Sequence, residues 1–173
     1  MTIHPPNIGP YYEDFHVGDI IKHWPGRTIT ESDNTWFTLV TMNQHPIHFD
    51  VVYAKDQMFG KPIVNSCFTL ALLGGMTVRE TSQNTIANLG WGDIKIPKPV
   101  FVGDTIYAET EVLDMRTSKS RSNTGIIKFK QTGFNQDNEI VMTYTRTSLA
   151  KCRGYDDGKL PQFGTLETAE PKE

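Results

Sequence analysis

Cysteine is scarce in this 173-residue chain: Cys67 and Cys152 are its only two. They make no disulfide framework, which fits a reducing compartment. Long apolar runs are missing as well. Nothing approaches the roughly 20 residues a membrane helix needs, and Met1-Thr2-Ile3-His4-Pro5-Pro6 has neither the charged start nor the apolar stretch of a secretory leader. The expected location is the cytoplasm, with no membrane partner. Strong charge of one sign is absent: the net charge is −3, and lysines and arginines are scattered. That excludes nucleic-acid binding through a strongly basic face. Histidine is sparse too, and His48 is the last one in the chain. The segment His48-Phe49-Asp50 could open a two-histidine, one-carboxylate metal site, but no later histidine completes it. No resident metal is expected. What is present, 38% hydrophobic and 21% charged residues, describes one globular domain with room for a real core.

The pattern along the chain divides it into a proline-rich, extended arm (1–14), a folded domain (15–151) and a polar, mobile tail (152–173). Phe15-His16-Val17-Gly18-Asp19 reads as a turn entering a strand at Ile20-Ile21. Thr30-Glu31-Ser32-Asp33 has the form of a capping box, so a helix starts near Glu31. Trp36, Phe37, Leu39 and Val40 recur at helical spacing and predict an apolar face on the core, with Asn43 at the far end and Pro46 stopping the helix. A second helix, from Ser66 to about Val78, is apolar almost all round and is expected to be buried, Cys67 included. Strand character follows over 86–96, 104–115, 125–134 and 139–150, the last two joined by a hairpin at Asn135-Gln136-Asp137-Asn138. The economical arrangement is α+β: one long antiparallel sheet around one central helix.

Chemistry concentrates in Asn43-Gln44-His45-Pro46-Ile47-His48 and the following Asp50, where two imidazoles, an amide and a carboxylate surround a proline. Asn65-Ser66 then opens the apolar helix. A titrating cluster beside an unpaired helix N-terminus is what proton transfer next to a carbonyl requires. From spacing alone, His45 and His48 also fit solvated loop residues, and Asn43 fits a helix C-cap. Cys67 reads as packing. Arg116, Lys119 and Arg121 read as a solvated hairpin tip or as a local patch for an anionic ligand.

These residues resemble the MaoC-like (R)-specific enoyl-CoA hydratases and dehydratases of the hotdog fold, from Phe15 to about Ala150. The family signature Asp-x-Asn-Pro-hydrophobic-His lies over residues 43–48; Pro46 and His48 match it, and Asn43 stands where the family has aspartate. Pro62-Ile63-Val64-Asn65-Ser66 and Pro99-Val100-Phe101-Val102-Gly103-Asp104 are also similar to family segments. Asn88-Leu89-Gly90-Trp91 and Phe59-Gly60-Lys61-Pro62 look most like the branch acting on itaconyl-, mesaconyl- or related dicarboxyl-CoA thioesters. The resemblance implies a curved antiparallel sheet wrapped around a central helix, an overhanging helical segment carrying the site, and a homodimer or higher homo-oligomer. It further implies hydration or dehydration of a short enoyl-CoA, with coenzyme A belonging to the substrate and no separate cofactor. His48 inherits proton transfer, the Ser66 N–H inherits the thioester oxygen, and Asn43 replaces the acidic partner. His45, Asp50 and Asn65 support them. An amide cannot accept a proton, and a neutral Asn43 suits a substrate with its own carboxylate. Two other readings compete: a non-catalytic acyl-thioester-binding hotdog protein that has lost the aspartate, and an acyl-CoA thioesterase. The latter needs a base on the central helix, where none is found.

Overall fold

In the computed structural model, residues 8–156 are described. The chain makes β1 (Ile20–Lys22), β2 (Arg27–Thr28), α1 (Glu31–Val40), α2 (Val51–Lys55), α3 (Ser66–Met76) and four long strands: β3 (Thr85–Lys95), β4 (Thr105–Thr117), β5 (Thr124–Phe134) and β6 (Ile140–Lys151). All pairing is antiparallel, in the order β1-β4-β5-β6-β3, with β2 also on β4. The four long strands lie where the apolar alternation predicts them. On β4, Ile106, Ala108, Thr110 and Val112 are buried, which is the inner face of a strand with period two. The β5–β6 turn is the expected hairpin, its Asn135 side-chain oxygen accepting from the N–H groups of Asp137 and Glu139. Three short elements carry no periodicity and are not foreseen: β2, α2 and a π-helical turn, Val78–Ser82.

The core forms where α3 lies across the sheet. Leu73, Val64, Ile106, Val141, Met142 and Tyr144 make one cluster, and Gly133 on β5 allows Leu73 to approach, since a Cβ there would fall 2.7 Å from its methyl carbons. The sheet covers one side of α3 only. Cys67, Ala71 and Gly75, spaced by four, stay exposed, so the expectation of a wholly buried helix with Cys67 in the core is corrected. Ahead of β1, Tyr12–Asp14 form a 3₁₀ turn rather than extended chain. Tyr12 packs on the second cluster around Phe15 and Phe129, and Arg153 ties down the start of the C-terminal segment through Glu13 and Asp14. The rest of the tail and residues 1–7 lie outside the described residues.

Helix α1 begins as the capping box predicts. Thr30 Oγ1 accepts from the Asp33 N–H at 3.2 Å, and the Asp33 carboxylate accepts from the Thr30 N–H at 2.8 Å. Partial burial pushes the Asp33 carboxyl up, but bonds from Thr30 and the Arg27 guanidinium outweigh it and hold its pKa below the usual value. The unfolded chain therefore binds the proton more readily. This contribution to stability is present above the ordinary Asp value of about 3.9 and is lost as pH falls through the lower folded-state value. Asp33→Asn is expected to cost about 1 kcal/mol at neutral pH. It should also flatten the acid limb of the stability curve; an acid limb unchanged in urea unfolding would count against this account.

Candidate active site

The site is built on the end of α1. Met42, not Asn43, takes the left-handed conformation (φ 55°), and its N–H bonds the Leu39 carbonyl while that of Asn43 bonds Thr38 at 3.0 Å. This double closure is a Schellman ending. Asn43 thus completes the cap from one position further on. Its side-chain oxygen accepts from the His45 N–H at 3.0 Å, turning the chain before Pro46. His45 Nδ1 in turn accepts from the Ile47 N–H at 3.2 Å, so His45 starts the 3₁₀ turn Pro46–His48. The His45 ring stands 6.2 Å from that of His48. Asp50 caps α2 with Oδ1, accepting from Val52 and Tyr53. Of the titratable groups in this loop, His45 and Asp50 therefore hold backbone.

His48 is held differently. Its Nδ1 lies 3.0 Å from the Ile63 carbonyl oxygen. A carbonyl only accepts, so Nδ1 carries a hydrogen and Nε2 is the nitrogen that gains or loses the proton. Nε2 has no protein partner among the described residues. The Ile63 N–H also donates to the Ile47 carbonyl at 3.1 Å, which staples the His48 turn to the segment entering α3.

Asn34 is the residue that sequence reasoning missed. It sits on α1, 2% exposed, and its amide reaches three backbone groups: Nδ2 donates to the His48 carbonyl at 2.8 Å and to the Ile63 carbonyl at 3.3 Å, and Oδ1 accepts from the Asn65 N–H at 2.9 Å. One side chain thus fixes the histidine turn to the start of α3. Asn65 caps α3, its oxygen accepting from the Cys67 N–H at 3.0 Å. The Ser66 N–H, exposed at the first turn, has no acceptor among the described residues and is free to meet a developing negative charge. Asn34 stands among the polar Glu31, Ser32, Asp33 and Thr35, so its helical spacing with Thr38 is the one sequence signal that could have flagged it.

His48 also lines a cleft of about 260 Å³ with Phe49, Lys61, Pro62, Phe101 and Val102. Lys61 Nζ stands 4.0 Å from the centre of the Phe101 ring, in cation–π contact. The hairpin tip with Lys119 and Arg121 is elsewhere, beyond the end of β4, about 40 Å of strand from its start beside Phe101 at ~3.3 Å per residue. Among the described residues no group of three or more metal-ligating side chains comes together, and no helix is long and apolar enough to cross a membrane.

The MaoC-like domain family matches residues 14–133, a stretch that includes the His48 turn, Asn34 and the start of α3. The chain belongs to the MaoC-like family. Among curated MaoC-like relatives, a β-methylmalyl-CoA dehydratase from Chloroflexus aurantiacus is 30% identical over 85% of this chain and 42% of its own length. A mesaconyl-CoA hydratase from Cereibacter sphaeroides is 29% identical over 85% of this chain and 43% of its own. The chain thus spans less than half the length of either. A solved Mycobacterium tuberculosis protein with a double hotdog fold superposes with a TM-score of 0.77 at 20% identity, over 95% of this chain and 53% of the other. The MaoC-like chain described here has the hotdog fold, its antiparallel sheet packed against one side of α3.

Proposed function

We propose that this protein adds water to, or removes it from, the double bond of a short enoyl-CoA thioester, with a branched dicarboxyl-CoA such as mesaconyl- or itaconyl-CoA as the favoured substrate. The observation that carries the reading is the pinned His48 imidazole, its Nε2 free, with the backbone of its turn tied through Asn34 to Asn65, the residue before the free Ser66 N–H. In hydration, Nε2 takes a proton from water as the oxygen bonds the β-carbon. The π electrons move onto the thioester oxygen, where the Ser66 N–H stabilises the charge. Collapse of the enolate returns the proton from Nε2 to the α-carbon, so atoms and charge balance with one titrating protein group. Dehydration is the reverse. No cofactor takes part, and coenzyme A enters as part of the substrate. The names of the curated relatives support a dicarboxyl substrate.

The working unit in this reading is at least a homodimer. The outer edge of β3 is unpaired among the described residues and exposes Leu89, Trp91 and Ile94. Two copies joined along β3 would pair that edge and cover these side chains. The function is tested by following the enoyl-thioester absorbance of crotonyl-, mesaconyl- and itaconyl-CoA together with free thiol. Loss of absorbance without thiol release is expected. Thiol release would make the protein a thioesterase, and inertness toward all three a binding protein.

Asn43→Asp offers a finer test. Aspartate keeps the oxygen that accepts from His45, so the loop should fold unchanged. The added charge disfavours a substrate carboxylate nearby by repulsion worth on the order of a few kcal/mol at a partly desolvated site. The ratio of kcat/KM for crotonyl-CoA over mesaconyl-CoA is expected to rise. Equal changes for both substrates would leave Asn43 as a cap alone.

A further inference from the structure

β6 carries a half-buried cation that no carboxylate among the described residues neutralises. Arg146 stands on the helix-facing side of the sheet, two residues beyond the fully buried Tyr144. Its partners are neutral: Nη1 donates to Ser82 Oγ at 3.2 Å and Nε to Asn88 Oδ1 at 3.4 Å. An arginine has five N–H donors, so most of the fork is left unused. Burial alone draws its pKa down, with only Tyr144 opposing.

A second observation falls at the same place. Ser148, next along that face, is fully buried with its hydroxyl oxygen unpartnered. Across the ladder, Asn88 pairs with Ser148 and the half-exposed Trp91 pairs with Arg146, so all four side chains share one side of the sheet. A guanidinium fork, two hydroxyls, an amide and an indole beside an unfilled polar atom are the groups that hold an anionic oxygen cluster on an organic ligand.

We propose that Arg146, with Ser82, Asn88 and Ser148 around it, is an oxyanion subsite that binds a carboxylate or phosphate of the acyl-thioester. The identity of that ligand rests on the function proposed above. The subsite lies by the π turn, past the C-terminal end of α3, whereas His48 and Ser66 lie at its N-terminal end. In the homodimer proposed above, two-fold pairing along β3 would set the two α3 helices antiparallel and bring Arg146 of one copy toward the Ser66 end of the other.

The test compares full-length wild type, Arg146→Gln and Arg146→Lys by calorimetric binding of succinyl-CoA, butyryl-CoA and butyryl-N-acetylcysteamine, none of which needs turnover. Arg146→Gln is expected to weaken succinyl-CoA about 10- to 100-fold, the worth of lost charged hydrogen bonds. Unchanged butyryl-CoA identifies the acyl carboxylate as the anion. Equal weakening of both coenzyme A esters with the N-acetylcysteamine ester unchanged identifies a phosphate. Arg146→Lys, which keeps the charge and guards against a folding failure, should fall between. Equal weakening of all three probes, no change in any, or loss of self-association by light scattering with affinities intact overturns the subsite. Crotonyl-CoA hydration without any Arg146-dependent binding sinks the subsite and leaves the hydratase standing; the converse result sinks the hydratase alone.

Discussion

His48→Ala is expected to lower turnover of an enoyl-CoA by about 10²–10⁴-fold, the usual worth of one positioned acid or base. The loss should appear in kcat, because in the proposed reaction the imidazole acts on water and on the α-carbon rather than on the bound thioester as a whole. Folding should change little: the Ile63 carbonyl that His48 holds keeps its bond from Asn34. The pH profile of the wild type supplies an independent check. With Asn43 neutral, kcat/KM for crotonyl-CoA should follow one essential protein ionisation instead of a bell. A bell, or activity retained in His48→Ala, removes His48 from its sole acid–base role.

Asn34→Leu should be the most damaging single change away from the proton-transfer groups. It leaves the His48 carbonyl and the Asn65 N–H without their partner in a site 2% exposed, while the Ile63 carbonyl keeps its bond from His48. At about 1–3 kcal/mol per stranded group, with part of that recovered by relaxation, a destabilisation of about 2–4 kcal/mol is expected. Asn34→Asp separates position from stability. It can still accept from Asn65 but no longer donates to His48 and Ile63, so the histidine turn loosens while the start of α3 stays tied. At a temperature where the variant is folded, kcat should fall at least about 10-fold with KM little changed. A variant that is less stable but turns over normally would show Asn34 to be a structural tie only.

Much of the fold can be read from local pattern. Long strands write their alternation into the chain, as Ile106, Ala108, Thr110 and Val112 do, and the Thr30–Asp33 box and Asn135–Asn138 turn are short-range chemistry that needs no tertiary context. The candidate site is half legible. Pro46, His48 and Ser66 stand in order in the chain, so the turn and the helix start can be found. The bonds of Asn43, His45 and Asp50 to N–H groups two residues on are short-range too, whereas the His48 bond to Ile63 and the Asn34 ties join segments far apart in the chain and are not legible in it.

Helix α1 shows where local reading fails. Its apolar residues predict an inward face, yet Trp36, Leu39 and Val40 are exposed and Asn34 and Thr38 are buried. Periodicity shows that a helix has two faces; it does not say which one the rest of the fold needs. Here the irregular chain at His48, Ile63 and Asn65 presents bare backbone donors and acceptors to α1, and unsatisfied backbone groups are costlier to bury than apolar side chains are to expose. The same holds for α3, whose uniform apolarity suggests burial all round while a single sheet covers one side. The chain's residues thus set the helices, strands, turns and the identity of the titrating group. Tertiary structure alone chose the inward faces, the Nε2 nitrogen of His48, the Asn34 tie and the unpaired Arg146, because each depends on backbone and side chains far apart in the sequence.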